Sequence, residues 1–153
     1  MTMHLPPLSV VSNNMTLRFT EITPGDIEKG FVPGYHFRIL YGADRIDVGH
    51  VNVRIGDTPH VTLCAGHIGF FIEERYRGNG FAYQGCMALS GFVSRVLGEA
   101  IITVDPDNIA SRRTIEKLGA DFLDEVLVPP CDPHYARGSR IKRRYLWRPD
   151  PVV

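Results

Sequence analysis

What this sequence lacks narrows the field before any motif is read. It has three cysteines in 153 residues, Cys64, Cys86 and Cys131, an odd number at wide spacing with no CxxC pair. That argues against a disulfide framework or a thiolate metal site; no metal is expected, and a reducing cytoplasm is the simpler setting. Net charge is missing as well: 17 basic side chains face 17 acidic ones. A chain whose main partner is nucleic acid would carry a basic surplus, so this balance disfavours that class without touching a local basic patch. No apolar run approaches the roughly 18 residues of a membrane span, and no membrane partner is expected. The opening "MTMHLPPLSVVSNN" has no basic region leading into an apolar core, so it does not read as a secretory signal. It reads as a flexible leader, 1–14, with Met15 as an alternative start, ahead of one domain over 15–153. Internal repeats and low-complexity segments are also missing.

What is present is an ordinary globular composition, 44% hydrophobic and 22% charged. At this length about 70% of the unfolded surface can be buried. Alternating apolar stretches predict strands at "TLRFTEI" (16–22), "YHFRILY" (35–41) and "RIDVGHVNVRI" (45–55), with a hairpin turn at "GAD" (42–44). In the third of these the apolar phase flips at Gly49-His50, which predicts a bulge. "HIGFFI" (67–72) is apolar on both faces and reads as a central strand, and "AIITV" (100–104) as another. Between them, apolar residues at mixed i+3/i+4 spacing predict one buried helix over 80–97. "DNIASRRTIEKLGA" (107–120) predicts a second, with Asn or Asp at its start and Gly119 at its end. "DFLDEVLVP" and "SRIKRRYLW" complete the chain as strands. The fold class is therefore α/β (α+β), a partly antiparallel and partly parallel sheet with helices on both faces.

The stretch that carries chemistry is "RYRGNGFA" (75–82), set between the central strand and the helix. Strand, glycine turn and helix start expose backbone N–H groups whose unpaired donors and helix dipole attract an anion. Glycine at 78 and 80 lets backbone approach phosphate oxygens, and Arg77 adds charge. A Walker loop needs GxxxxGK[ST], which is absent; a dinucleotide fingerprint needs a glycine where Tyr83 stands.

Arg77-x-x-Gly80-x-Ala82 matches the [QR]xxGx[GA] motif of the GNAT acetyltransferase superfamily, and "DNIASRRTIEKLGA" resembles that family's second signature. The ordered pair spans roughly residues 66–122. The subgroup it most resembles is that of the ribosomal-protein N-acetyltransferases. The resemblance implies a GNAT-like, mostly antiparallel sheet of about seven strands, splayed between two central parallel strands. The splay would hold the pantetheine arm of acetyl-CoA as cosubstrate. It further implies that the Ile72 backbone bonds the pantetheine, that Arg77, Gly78, Asn79, Gly80, Phe81 and Ala82 hold the pyrophosphate, and that Asn108 and Ser111 lie beyond the splay. Many family members carry a tyrosine four residues past this serine; here it is Ile115. Ser111 is then the expected hydrogen-bond donor to the leaving thiolate. Glu125 is the favoured base among Glu73, Glu74, Glu125 and His67, while His67 reads more simply as a satisfied sheet residue. The acceptor would be a primary amine on a small molecule, an amino acid or a protein N-terminus, its identity unread, shaped by "TPGDIEKGFVPG" and "PPCDPHYARGS"; dimers through the last strands are common in the family and make a homodimer an expectation.

Two other readings stay open from sequence. The missing tyrosine is compatible with a non-catalytic acyl-CoA-binding or regulatory module. The tail "RGSRIKRRYLWR" (137–148), six basic residues interleaved with Tyr145 and Trp147, is compatible with an RNA- or ribosome-associated surface. It equally describes a half-buried final strand with a basic outer face.

Overall fold

The structure, a computed structural model, describes residues 4–150. Strand β1 (Ser9–Ser12), β2 (Met15–Thr23), β3 (Gly34–Tyr41), β4 (Ile46–Arg54) and β5 (Ile68–Ile72) form one antiparallel sheet in that order. Strands β6 (Ala100–Val104), β7 (Asp121–Leu127) and β8 (Ile141–Trp147) form a second, antiparallel sheet in the order β6-β8-β7. Helices α1 (Phe81–Ala88) and α2 (Ser90–Val96) connect the two sheets, α3 (Ile109–Lys117) links β6 to β7, and the short α4 (Pro133–Ala136) precedes β8. The expected strands are all there, with β1 added to make eight among the described residues.

Strand β1 lies inside the segment expected to be a flexible leader. Ser9–Ser12 pair antiparallel with Met15–Arg18 through a turn in which Asn13 takes φ 53°. The Ser-Val-Val-Ser alternation and the Asn-Asn turn are a short hairpin signal that the polar surroundings obscure. The bulge also appears, one residue from its predicted place. Ile39 pairs with Gly49 and Leu40 with Asp47, leaving Val48 unpaired. Val48 is buried like Val51 and Val53, so the extra residue is what keeps all three valines on the core face. The single helix expected over 80–97 is broken at Leu89, directly before the Ser90-Gly91 pair, a common cause of kinks.

Alternation fills the core from both sheets. Leu17, Phe37, Ile39, Val51 and Val53 meet Cys86, Leu89, Phe92 and Val93 of α1 and α2. Ile102, Tyr145 and Trp147 of the second sheet meet Ile115 of α3. Each fully buried large side chain contributes about 1.5–3 kcal/mol. The opposite face of the second sheet packs on a wide helical turn at His60–Ala65: Thr103 Oγ1 donates to Cys64 O at 2.6 Å and Arg144 Nη1 to Thr62 O at 3.2 Å. That sheet therefore has helical structure on both faces.

Among the described residues, hydrogen bonds join the two sheets just before β5. The His67 N–H donates to Ile101 O at 2.7 Å, and the Ile101 N–H donates to His67 Nδ1 at 2.8 Å. Gly66, with φ 74°, lies so close to β6 that a Cβ would stand 3.0 Å from Thr103 N. Beyond this junction β5 and β6 share no ladder and diverge. His67 is thus the hinge of a V, and its Nε2 lies 3.0 Å from Asp57 Oδ1. Both ring nitrogens are engaged.

Candidate active site

The open end of the V is a cavity of about 570 Å³ lined by Phe70, Phe71 and Ile72 of β5, the turn from Tyr76 to Ala82, and the start of α3. The turn is built for an anion. Gly78 and Gly80 take φ 85° and 74°, a region costly for residues with a Cβ. No hydrogen-bond partner among the described residues engages the backbone N–H groups of Gly78, Gly80, Phe81 or Ala82. Four unpaired amides converge on the first turn of a helix, where the dipole adds positive potential. A larger hollow, about 850 Å³, lies beside the same turn between Arg38, Asp47, Glu73, Glu74 and Arg75. Arg38 and Asp47 neutralise each other there at 2.7 Å, and it has no such amide array among the described residues.

Across the gap, Asn108 caps α3: its Oδ1 accepts the Ser111 N–H at 3.2 Å. The Ser111 hydroxyl has no partner among the described residues and lines the cavity. Ile115, one turn on, points the other way and is fully buried. The position where many relatives carry a tyrosine therefore faces the core in this chain. Thr114, three residues from Ser111, shares the cavity wall with Ala110 and Arg113.

The cavity thus brings together Ile72, Arg77, Gly78, Gly80, Phe81, Ala82, Asn108 and Ser111. Asn79 belongs to the same turn but is outside the lining; its side-chain amide ties the turn by donating to Tyr76 O at 2.9 Å. Arg77 does more than supply charge. Its Nε donates to Ile72 O at 2.9 Å, pinning the turn to the end of β5, and its guanidinium covers the Phe71 ring at 5.3 Å. Phe70, Tyr76, Arg113 and Thr114 also line the cavity, and none was legible as a site residue from the sequence.

The expected base is elsewhere. Glu125, on β7, accepts from Arg143 Nη1 at 3.0 Å and is not in the cavity wall. Glu73 and Glu74 line the larger hollow instead, and His67 is consumed by the hinge. The basic tail also has an internal explanation. Lys142 pairs with Asp105 at 2.8 Å, Arg144 with Asp124 at 2.7 Å and Arg148 with Glu99 at 3.0 Å, while Tyr145 and Trp147 are buried. Arg144 holds the Asp124 carboxyl below the usual carboxylate range. Cys64 and Cys86 are buried, and burial pushes both thiols up to about 12, so neither is a nucleophile at neutral pH. Among the described residues no helix is long and apolar enough to cross a membrane.

The splayed V thus sets an open-amide turn at its mouth across the gap from a free serine hydroxyl. The acetyltransferase (GNAT) domain model matches residues 9–121, and the chain belongs to that family. Among solved structures it resembles the ribosomal-protein-S5-alanine acetyltransferase of Vibrio fischeri, at 13% identity and TM-score 0.68 over 94% of this chain and 98% of that one. It also resembles a ribosomal L7/L12 alpha-N-protein acetyltransferase in complex with coenzyme A, at 17% identity and TM-score 0.56 over 76% of this chain and 64% of that one. A third is the microcin C7 self-immunity acetyltransferase in complex with acetyl-CoA and AMP, at 18% identity and TM-score 0.55 over 78% and 61%. A search of curated proteins returned no match. At these identities the likenesses establish the fold, and the family model establishes an N-acetyltransferase.

Proposed function

We propose that this chain moves the acetyl group of acetyl-CoA to a primary amine by direct transfer. The observation that carries the reading is the cavity in which the unpaired amides of 78–82 and the free hydroxyl of Ser111 face one another across the splay. The solved relatives with coenzyme A and acetyl-CoA support the cosubstrate. Each amide bond to a charged oxygen is worth roughly 1.5–3 kcal/mol, so three or four supply most of the roughly 8 kcal/mol of a micromolar ligand. Arg77 and Arg113 add positive charge at the rim.

With the acyl carrier in the cavity, a neutral amine attacks the thioester carbonyl. A C–N bond forms, the C–S bond breaks, and the thiolate leaves within reach of the Ser111 hydroxyl. A thiolate is a tolerable leaving group, so one neutral donor is enough to assist it. The proton lost by the amine passes to water or to a group on the acceptor side. For an α-amino group, with a pKa near 8, water suffices; a lysine near 10.4 needs a placed base, and no carboxylate or free histidine lines the cavity. The test pairs calorimetric binding of acetyl-CoA with release of free CoA thiol over an amine panel. Micromolar binding with amine-dependent thiol release is expected. Binding without release from any amine would leave a non-catalytic acyl-CoA module.

A further inference from the structure

The proton that the attacking amine must lose has no receiver in the carrier's cavity, and His60 is a mostly buried imidazole that the transfer steps leave unused. It opens the wide turn at His60–Ala65. Its Nδ1 lies 2.6 Å from Asp132 Oδ2, and Asp132 Oδ1 accepts the His134 N–H at 2.9 Å. Burial opposes the charge of Asp132, yet the bonds from His60 and from the His134 amide hold its carboxyl below the usual carboxylate range. An ionised carboxylate only accepts, so the proton of the neutral ring stands on Nδ1 and the lone pair is left on Nε2. Nε2 has no hydrogen-bond partner among the described residues. The buried side-chain nitrogen without one is Arg112 Nε, so His60 Nε2 stays open to solvent. Phe31 packs tilted against the ring and His134 edge-on, with centroids at 4.8 Å and 5.8 Å. An imidazole oriented by a carboxylate, with one nitrogen free, is the arrangement of a general base.

The fold sets that lone pair on the side from which an acceptor comes. The carrier's cavity takes the face of the splay that α1 and α3 cover, so an amine reaches the thioester from the other face. His60 stands on that other face, at the seam between the sheets. From the first sheet comes Phe31, in the segment that leads into β3, and Thr58 ties that segment down by donating to Gly30 O. From the second come Asp132 and His134, on a loop whose Ser139 donates to Asp105 Oδ1, just past β6, at 2.6 Å. The turn itself rests on β6 through Thr103 and ends next to Gly66, one residue from the hinge. With its phosphates at residues 77–82, the far end of β5, the carrier reaches toward the hinge with its thioester. A mere latch between turn and loop would need the His60–Asp132 bond, but not an open nitrogen at this seam.

We infer that His60 is the base of the transfer, its Nε2 taking the proton of the incoming ammonium, and that Asp132 positions it. This rests on the acetyl-transfer reading and deepens it. The amine N–H bond breaks as Nε2–H forms, the freed lone pair attacks the thioester carbonyl, and the thiolate leaves toward Ser111. The imidazolium, paired with Asp132, then returns its proton to water. The charged and titratable groups around the ring are Asp132 and His134 of the loop, Cys64 of its own turn, Lys29 beside Phe31 and Lys142 of β8. Burial pushes His134 down to about 4 and the Cys64 thiol up to about 12, so both stay neutral beside the imidazolium. A base matters most for an amine that is mostly protonated, so more for a lysine-type amine near 10.4 than for an α-amino group near 8.

Thiol release at saturating acetyl-CoA is measured from about pH 6 to about pH 10 for the wild type, His60→Gln and Asp132→Asn, with an α-amino and a lysine-type acceptor. Acetyl-CoA binding is measured separately by calorimetry. Without the base only the free amine reacts. His60→Gln should therefore lower kcat/KM about a hundredfold or more near pH 7 with the lysine-type amine, and the loss should shrink as the pH rises toward about 10. With the α-amino acceptor the loss near pH 7 should be only about tenfold. Asp132→Asn keeps the ring but lets its proton move to Nε2, and should lose about tenfold with the same pH dependence. Neither should move acetyl-CoA affinity. No loss in His60→Gln, or a loss that is equal at every pH, makes the pair a latch and overturns the base while acetyl transfer stands. If His60→Gln does not fold, wild-type rates in Asp132→Asn across the window overturn it equally. A wild type that binds acetyl-CoA yet releases thiol with no amine sinks the transfer reading, and the base with it.

Discussion

The two faces of the splay are made of different material. The inner face is mostly backbone and contiguous sequence: one turn, Arg77 to Ala82, and one helix start, Asn108 to Thr114, supply most of its wall. The outer face is side chains gathered from distant segments, with Phe31, His60, Asp132 and His134 brought together only by the fold. A face that binds a phosphate-bearing carrier can be built from amides, because every residue has one. A face that selects an acceptor must use side chains, because only they differ.

The sharpest way to test that division is to damage the amide turn alone. Gly80→Val puts a β-branched residue at φ 74°, where the turn must open and the Cβ enters the space above the amides. No protein atom lies closer than Gln84 Nε2 at 3.9 Å, so the core is untouched. Losing two or more amide contacts should weaken acetyl-CoA at least about a hundredfold. Calorimetry on a variant with unchanged circular dichroism decides it, and unaltered affinity would remove the turn as the anion site.

Next in size is the serine. Ser111→Ala deletes a hydroxyl whose bond strengthens as the sulfur gains charge, so kcat should fall about ten- to a hundredfold with acetyl-CoA Kd nearly unchanged. Full activity would mean the thiolate leaves unaided. Ile115→Tyr, the change that the missing family tyrosine invites, is not a rescue here. Ile115 is fully buried, so a tyrosine overpacks the core; about 1–3 kcal/mol of stability should be lost with no recovery of rate.

That residue shows where sequence reading stops. The strands, the paired signatures and the cavity residues Ile72 and Ser111 were legible because each is fixed by local pattern. Ile115 matched a family position by spacing, yet a helix face is set by what it packs against. Glu125 read as a base because it lies on the strand after the second signature, but the β7–β8 register sets it opposite Arg143. His60 and Asp132 carry no local signal as a pair; they are 72 positions apart in sequence and become neighbours only through the fold. His67 was legible as a sheet residue, though not as the hinge that joins the sheets.

Arg77 belongs to both faces, since its Nε holds Ile72 O and its guanidinium covers Phe71. If its charge serves the pyrophosphate, Arg77→Ala should weaken CoA about tenfold more than a pantetheine fragment that lacks the pyrophosphate. Equal losses for both ligands would assign the arginine to holding the turn on β5.

Acid should separate the faces more gently. Amides do not titrate, whereas the loop that carries Asp132 also carries His134. Burial, helped by the Lys142 charge, pushes the His134 pKa down from 6.5 to about 4. Between those values the unfolded chain binds a proton that the native chain does not. The His134 contribution should therefore be flat above about pH 6.5 and fall as the pH drops toward 4, below which the carboxyls held low in the folded chain, Asp47, Asp105, Asp124 and Asp132, carry the loss further. His134→Gln should flatten this slope in part, because His36 and His50, also pushed down by burial, keep a residue of it. Acetyl-CoA affinity should stay constant from pH 8 to 6, since no titrating side chain lines the inner cavity within that range. The measurement is thermal unfolding across this pH window for both proteins. An unchanged slope in the variant would mean that His134 is as free to charge in the folded chain as in the unfolded one.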